Sequence, residues 1–133
     1  GPVSVGERVE LTINASDPAE RDTTDPRFGE PLPMGVAFMK YQGPGDVEFM
    51  PHESTPAAEN PYSESDRRYK FWRAPKANEL EIPGPAGVAR VYAMFSSPGD
   101  YIISTKVDIH EAPDSSNGDQ CCWTNVYQRI TVR

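Results

Sequence analysis

Cys121 and Cys122 are adjacent, run directly into Trp123, and are the only cysteines in the chain. Their spacing is neither that of a CxxC redox pair nor that of a zinc knuckle, which leaves a disulfide as the main chemistry open to them. Neighbouring Cα atoms stand about 3.8 Å apart across a trans peptide. A disulfide usually spans about 4.4–6.8 Å, so a bond between these two would distort the intervening peptide. It would close almost no loop and so add little stability through chain entropy. Its use would be a stiff apolar ridge beside an indole. A reduced pair on a regular strand would instead face opposite ways. A Cys121–Cys122 disulfide is expected, because an exposed free thiol is a liability outside the cell. Trp123 then has two readings: a lid folded back on the domain, or a platform for a sugar ring or protein partner.

A second aromatic group is Tyr69, Phe71 and Trp72, interleaved with Arg67, Arg68, Lys70 and Arg73. An aromatic run in polar sequence commonly anchors a long loop. Exposed, it would contact a ligand, and its basic residues would suit an anionic glycan or an acidic partner. Tyr69 and Trp72 therefore join Cys121, Cys122 and Trp123 as candidate ligand contacts. Asp17, Glu20, Asp22, Asp25, Asp108, Glu111, Asp114 and Asp119 fall in or beside loops that could meet at one end of a sandwich. Calcium takes several oxygen ligands from such loops. No EF-hand or repeat spacing is present, so solvated loop charge is the main reading, with calcium as the alternative and no other cofactor expected. Asn14-Ala15-Ser16 fits a glycosylation sequon. The histidines, His52 and His110, lie beside loops, and no GxSxG, HExxH, P-loop or dinucleotide fingerprint occurs. Nothing in the spacing asks for a copper site built from those histidines and methionines. No catalytic residue is assigned.

The elements that must position these residues are short strands. Fourteen prolines and ten glycines cut the chain, and no segment holds a 3.6-residue apolar period. Alternation is present instead. Val9, Leu11 and Ile13 share one face of a first strand. Val36 and Phe38 open a second that runs to Tyr41. Val47 and Phe49 follow the Gln42-Gly43-Pro44-Gly45 break. Leu80 and Ile82 make a short strand before Pro83-Gly84-Pro85, and Val91, Ala93 and Phe95 a fifth. After the Ser97-Pro98-Gly99-Asp100 turn, Tyr101, Ile103, Thr105, Val107 and Ile109 point inward, with Ile102, Ser104, Lys106 and Asp108 outward. The last strand alternates Val126, Gln128, Ile130 and Val132 against Tyr127, Arg129, Thr131 and Arg133. About seven such strands predict an all-β, antiparallel two-sheet sandwich in one domain spanning 1–133. Long insertions are expected at 16–33, at 51–78, where part of the segment packs or adds an edge strand, and at 110–125, with Cys-Cys-Trp near the end of the last loop.

Three segments together resemble the PKD-like and broader immunoglobulin-like modules of secreted and cell-surface proteins. They are Val5-Gly6-Glu7-Arg8-Val9-Glu10-Leu11 running on to Ala15-Ser16-Asp17-Pro18, Tyr41 through Phe49, and Phe95-Ser96-Ser97-Pro98-Gly99-Asp100-Tyr101-Ile102-Ile103 ending at Val107-Asp108. The resemblance implies an opening strand, a central hairpin and a "G-x-Y" lead into the penultimate strand. It also implies a non-catalytic extracellular module, spacer or binder. Tyr101 is expected to pack inward with its hydroxyl on backbone, as in a tyrosine corner. The sequence departs from the family at Phe38-Met39, where such modules often carry Trp, in its long insertions, and in the Cys-Cys-Trp.

Thirteen basic against twenty acidic residues give a net charge of −7. That charge disfavours nucleic acid and anionic lipid as partners. No apolar run has the length to cross a bilayer. Gly1-Pro2 opens directly into strand-like sequence and resembles a protease scar, so the chain is expected to be a monomeric module cut from a larger precursor. The expected function is that of a non-catalytic accessory or adhesion module, secreted or on the cell surface. The alternative is a carbohydrate-binding module that uses the Cys121-Cys122-Trp123 loop and is attached to a polysaccharide-degrading enzyme. A small hydrolase ranks below both.

Overall fold

The computed structural model describes residues 2–16, 24, 26, 33–84, 86–109 and 121–133, with the side chains of 121–123 excepted. Seven strands form: β1 (Val9–Ser16), β2 (Met34–Gln42), β3 (Val47–Pro51), β4 (Glu79–Ile82), β5 (Ala86–Phe95), β6 (Gly99–Ile109) and β7 (Cys121–Val132). They make two antiparallel sheets, ordered β1-β5-β3 and β4-β2-β6-β7. Just ahead of β1, Val3 bridges Val132 in parallel and ties the N-terminal segment to the last strand.

The apolar alternation read from the sequence is the core. Leu11 and Ile13 of β1 meet Ala89, Val91, Ala93 and Phe95 of β5 on one inner face. Met34, Val36, Phe38, Ile82, Tyr101, Ile103, Val107, Ile109 and Val132 supply the other. Burying one side of each sheet against the other makes a β-sandwich, and the period of two fixes which residues enter it.

One end of the sandwich is closed by Tyr101, which is fully buried. Its ring lies 4.7 Å from that of Phe95. Its hydroxyl donates to the Ser97 carbonyl at 2.7 Å and accepts the Gly45 N–H at 3.1 Å. The inward packing expected of Tyr101 is thus present, and its hydroxyl fastens two separate turns. Gly43, at φ +148°, lies so close that a Cβ would overlap the Tyr101 ring. Gly99, at φ +138°, brings its Cα against Pro44, where a Cβ would come within 2.6 Å of Cγ. Side chains rarely adopt such φ values, and only glycine gives the ring and the proline that room. Asp46 and Ser96 close the contact: the Asp46 N–H donates to Ser96 Oγ, and the Ser96 N–H donates to the Asp46 carbonyl.

Several expectations change. The Tyr41–Phe49 segment is not a hairpin, because β2 and β3 lie in different sheets and the Gly43–Asp46 turn crosses between them. Between Pro51 and β4 the described chain holds only a single 3-10 turn at Tyr69–Phe71 and no added strand. The edge strand beside β2 is β4. Ser104 and Asp108, assigned outward, are indeed on the outer face of β6 but are buried. β6 is an inner strand with neighbours on both sides, and short side chains there sink beneath the longer ones flanking them. Finally, Cys121, Cys122 and Trp123 belong to the backbone of β7 rather than to the loop before it.

Tyr101→Phe should leave the Ser97 carbonyl and the Gly45 N–H without their partner while keeping the ring. The expected loss is about 1–3 kcal/mol, read as a lower Tm in thermal unfolding. An unchanged Tm would show that the hydroxyl does not hold the two turns.

Candidate functional site

The outer face of the four-stranded sheet carries two large aromatic side chains exposed to solvent. The register places Met39, Ser104 and Tyr127 in one row across β2, β6 and β7. Ser104 is small, so its larger neighbours close over it. Tyr41 is the extra residue of a β-bulge, since Lys40 pairs with Ile103 and Gln42 with Ile102. Its ring centre stands 5.2 Å from that of Tyr127, with the planes inclined by 55°. Tyr41 is 63% exposed, Tyr127 55% and Met39 44%. The next row joins Ile102 to Arg129, and the row on the other side joins Ala37 to Lys106 and Asn125. Two phenols and a thioether thus form an apolar platform with hydrogen-bonding groups at its border.

The same sheet has a second bulge. Val107 pairs with Thr124 and Ile109 with Cys121, so Asp108 alone on β6 stands opposite Cys122 and Trp123 on β7. A bulge breaks the strict alternation of a strand and re-aims its side chains. Asp108 is drawn over Gly35 of β2, where an added Cβ would come within 2.8 Å of its Oδ1, and its Oδ2 lies 3.6 Å from Lys106 Nζ. The sequence-predicted ligand contacts Cys121, Cys122 and Trp123, and the disulfide expected between the cysteines, concern side chains outside those described. Their backbone lies on the same strand as Tyr127.

The other predicted contacts, Tyr69 and Trp72, sit on the 3-10 turn and its C-terminal cap. Trp72 is half-buried, Tyr69 is at the margin of exposure, and Phe71 between them is 73% exposed. The run therefore does not anchor its loop through all three rings. Arg67, Arg68, Lys70 and Arg73 are all exposed. Of the proposed calcium ligands only Asp108 lies among the described residues, and among those residues no group of three His, Cys, Asp or Glu could hold a metal ion. His110 also falls outside them. Asn14 of the sequon is exposed on β1.

His52 does gather polar groups, on the outer face of the three-stranded sheet. Its Nε2 lies 3.4 Å from Glu10 Oε2 and 3.8 Å from Glu53 Oε2. Its Nδ1 lies 2.7 Å from Ser54 Oγ and accepts the Ser54 N–H at 3.0 Å. This has the outline of a serine–histidine–carboxylate relay. However, the Nδ1 lone pair is engaged by the Ser54 backbone N–H two residues on, the arrangement of a local turn rather than of a base waiting for the hydroxyl proton. The rest of the group is a clasp. The Tyr92 hydroxyl donates to Glu53 Oε2, the His52 ring lies 4.8 Å from that of Tyr92, and the Arg8 guanidinium stacks 4.1 Å above it. Arg90 Nε and Thr12 Oγ1 both reach Glu10 Oε1. Tyr92, outward on its strand, is buried by this cover. Beside the clasp runs a groove of about 940 Å³, whose lining includes Pro56, Ala57, Ala74, Pro75, Leu80 and Val88.

Sequence reading did not single out Tyr41, Tyr127 or the His52–Tyr92 clasp. Tyr127 was legible as outward. What was missing was the register that brings Tyr41 from a strand 86 positions earlier to its side.

The Tyr92 hydroxyl, donating to Glu53, holds that carboxyl below its usual range, with His52 and Arg8 pulling the same way. The same bond pushes the Tyr92 phenol up. Glu53 thus contributes stability above its ordinary pKa of 4.5 that is lost as pH falls through the lowered value. Tyr92 contributes stability below its ordinary 10.0 that is lost as pH rises through the raised one. Tyr92→Phe is expected to lower Tm at neutral pH, with the gap to wild type closing at both the acidic and the alkaline end. A gap independent of pH would show that the bond is not what the variant removes. Comparison of the chain with protein-family models, with curated proteins and with solved structures finds no match.

Proposed function

We propose that this chain is a non-catalytic accessory or adhesion module of a larger secreted or surface protein, and that it holds its partner on the outer face of the four-stranded sheet. The observation that carries this reading is the Tyr41–Tyr127–Met39 platform. Aromatic side chains that supply contact area at low entropic cost are enriched where proteins bind. A rigid sheet is a more exact support for such a surface than a loop. The immunoglobulin-like, PKD-like kinship is part of this reading. It draws on the two-sheet architecture and on Tyr101, whose hydroxyl ties backbone near the start of the penultimate strand. The module needs no cofactor, with calcium on the acidic loops kept as the alternative, and acts as a monomer.

The second reading is carbohydrate binding, favoured by the two inclined, solvent-facing tyrosines with Asn125 and Arg129 beside them. Tyrosine faces stack on the C–H face of a sugar, and bordering polar groups take its hydroxyls. Trp123, on the same strand as Tyr127, would extend the platform. Placement outside the cytoplasm rests on Cys121-Cys122, which as a disulfide would persist in an oxidising compartment. The backbone irregularity at Cys122-Trp123 suits a ring that distorts its own peptide.

Tyr41→Ala and Tyr127→Ala should each weaken binding to the cognate glycan or protein by more than about tenfold. Their Tm should stay within about 2 °C of wild type, as exposed substitutions do. A glycan array and an affinity gel distinguish the two readings. Retention of native binding by both variants would remove the sheet face from the function. For the cysteines, alkylation of the native protein without reductant should add no mass; two added alkyl groups would refute the disulfide.

A further inference from the structure

The loop from Asp66 to Lys76 concentrates charge of one sign. Five of the thirteen basic residues, Arg67, Arg68, Lys70, Arg73 and Lys76, fall within these eleven positions, with Asp66 as the single acid, in a chain of net charge −7. The loop is held in shape from within. The Tyr69 N–H donates to the Asp66 carbonyl, Phe71 N–H to Arg68, and Trp72 N–H to Tyr69. Asn60 brackets the turn, its Nδ2 donating to the Tyr69 carbonyl and its Oδ1 accepting the Tyr62 N–H. Arg68 is spent on Asp66, with Nε and Nη2 on the carboxylate, and it covers the Tyr62 ring at 4.3 Å. Arg73 donates Nη1 to the Lys70 and Trp72 carbonyls.

Four cations of the loop are left without an ion pair among the described residues, and three of them, Arg67, Lys70 and Arg73, flank the exposed ring of Phe71 in sequence. Among the described residues no carboxylate lies within ion-pair reach of Arg67, Lys70 or Arg73. Arg67 stands just before the cap of the 3-10 turn that carries Lys70, and both side chains are exposed. The Lys70 ammonium stands 5.3 Å from the centre of the Phe71 ring, and Phe71 is 73% exposed. A large apolar ring is thus held out in water with unpaired cations beside it.

We propose that the Arg67–Arg73 loop binds an acidic polysaccharide, a polymer of uronic acid, with a sugar C–H face on Phe71 and its carboxylates on Lys70, Arg67 and Arg73. A linear polyanion fits this charge distribution better than a broad anionic surface. At physiological salt electrostatic reach is about 8 Å, so a thin chain meets only the basic loop. A membrane would also face the acidic remainder, and one exposed phenylalanine gives it little apolar area to receive. A wholly peptidic polyanion would use the cations and leave Phe71 idle. This inference goes beyond the sheet-face reading and uses none of its residues.

The test is titration of the intact chain with polygalacturonate at about 50 mM salt, where phosphate- or carboxylate-type contacts are strongest. Dextran, poly-glutamate and vesicles containing phosphatidylglycerol serve as comparisons. Binding should be seen with polygalacturonate, should fall about tenfold in Phe71→Ala, and should be lost in the double variant Arg67→Ser/Lys70→Ser. All variants should keep the wild-type Tm, since none of these side chains is buried. Tyr41→Ala and Tyr127→Ala should bind polygalacturonate as wild type does. The proposal is overturned by absence of polygalacturonate binding, by indifference to Phe71→Ala, or by equal binding of poly-glutamate or vesicles. Loss of polygalacturonate binding in the tyrosine variants alone would move the site to the sheet face, sparing that reading and ending this one.

Discussion

The Tyr101 side chain is the joint on which the two sheets meet. Its ring fills the end of the core against Phe95, and its hydroxyl bonds backbone in two turns that are far apart in sequence. One of those turns carries the chain from the four-stranded sheet into the three-stranded one. The other begins β6, an inner strand of the larger sheet. A buried polar atom must be satisfied, and among the described residues its partners are the turns themselves. The same contact that fills the core therefore also fixes how the sheets are connected. Gly43 and Gly99 are glycines because this joint leaves no room for a side chain and needs backbone angles that side chains avoid.

With that end fixed, the larger sheet holds Met39, Tyr41 and Tyr127 exposed on its outer face. Both of its bulges lie where chemistry-bearing residues stand, one at Tyr41 and one at Cys122-Trp123. A regular ladder would have continued the alternation and changed the direction of the residues beyond each bulge. Ser104 has a related role. A large residue in the middle of that row would hold Met39 and Tyr127 apart, whereas a serine lets the platform close over the sheet. The smaller sheet uses its outer face differently, burying Tyr92 under Arg8 and His52 in a satisfied clasp.

Strand existence was legible because burial on one side imposes a period of two, and that period survives in the order Tyr101, Ile103, Thr105, Val107, Ile109. The inward tyrosine was legible for the same reason. The β2–β3 connection was not. A Gly-Pro-Gly turn between two alternating segments reads equally as a hairpin or as a crossing between sheets, and the choice rests on what Tyr101 bonds 56 residues later. The burial of Ser104 and Asp108 was hidden because it depends on neighbours contributed by β2 and β7. The start of β7 was hidden because polar sequence before Val126 carries no apolar alternation, though the backbone ladder with β6 continues to Cys121.

The sequence by itself determined that the chain is all-β, which residues face the core, and that a basic aromatic run stands inside an acidic chain. These are local properties, set by side-chain period and composition. Only the tertiary structure decided which outward residues become neighbours: Tyr41 with Tyr127, His52 with Glu10 and Tyr92, and Asp108 with the bulge at Cys122-Trp123. Such pairings depend on strand register and sheet order, and those follow from long-range contacts that no window of the chain contains.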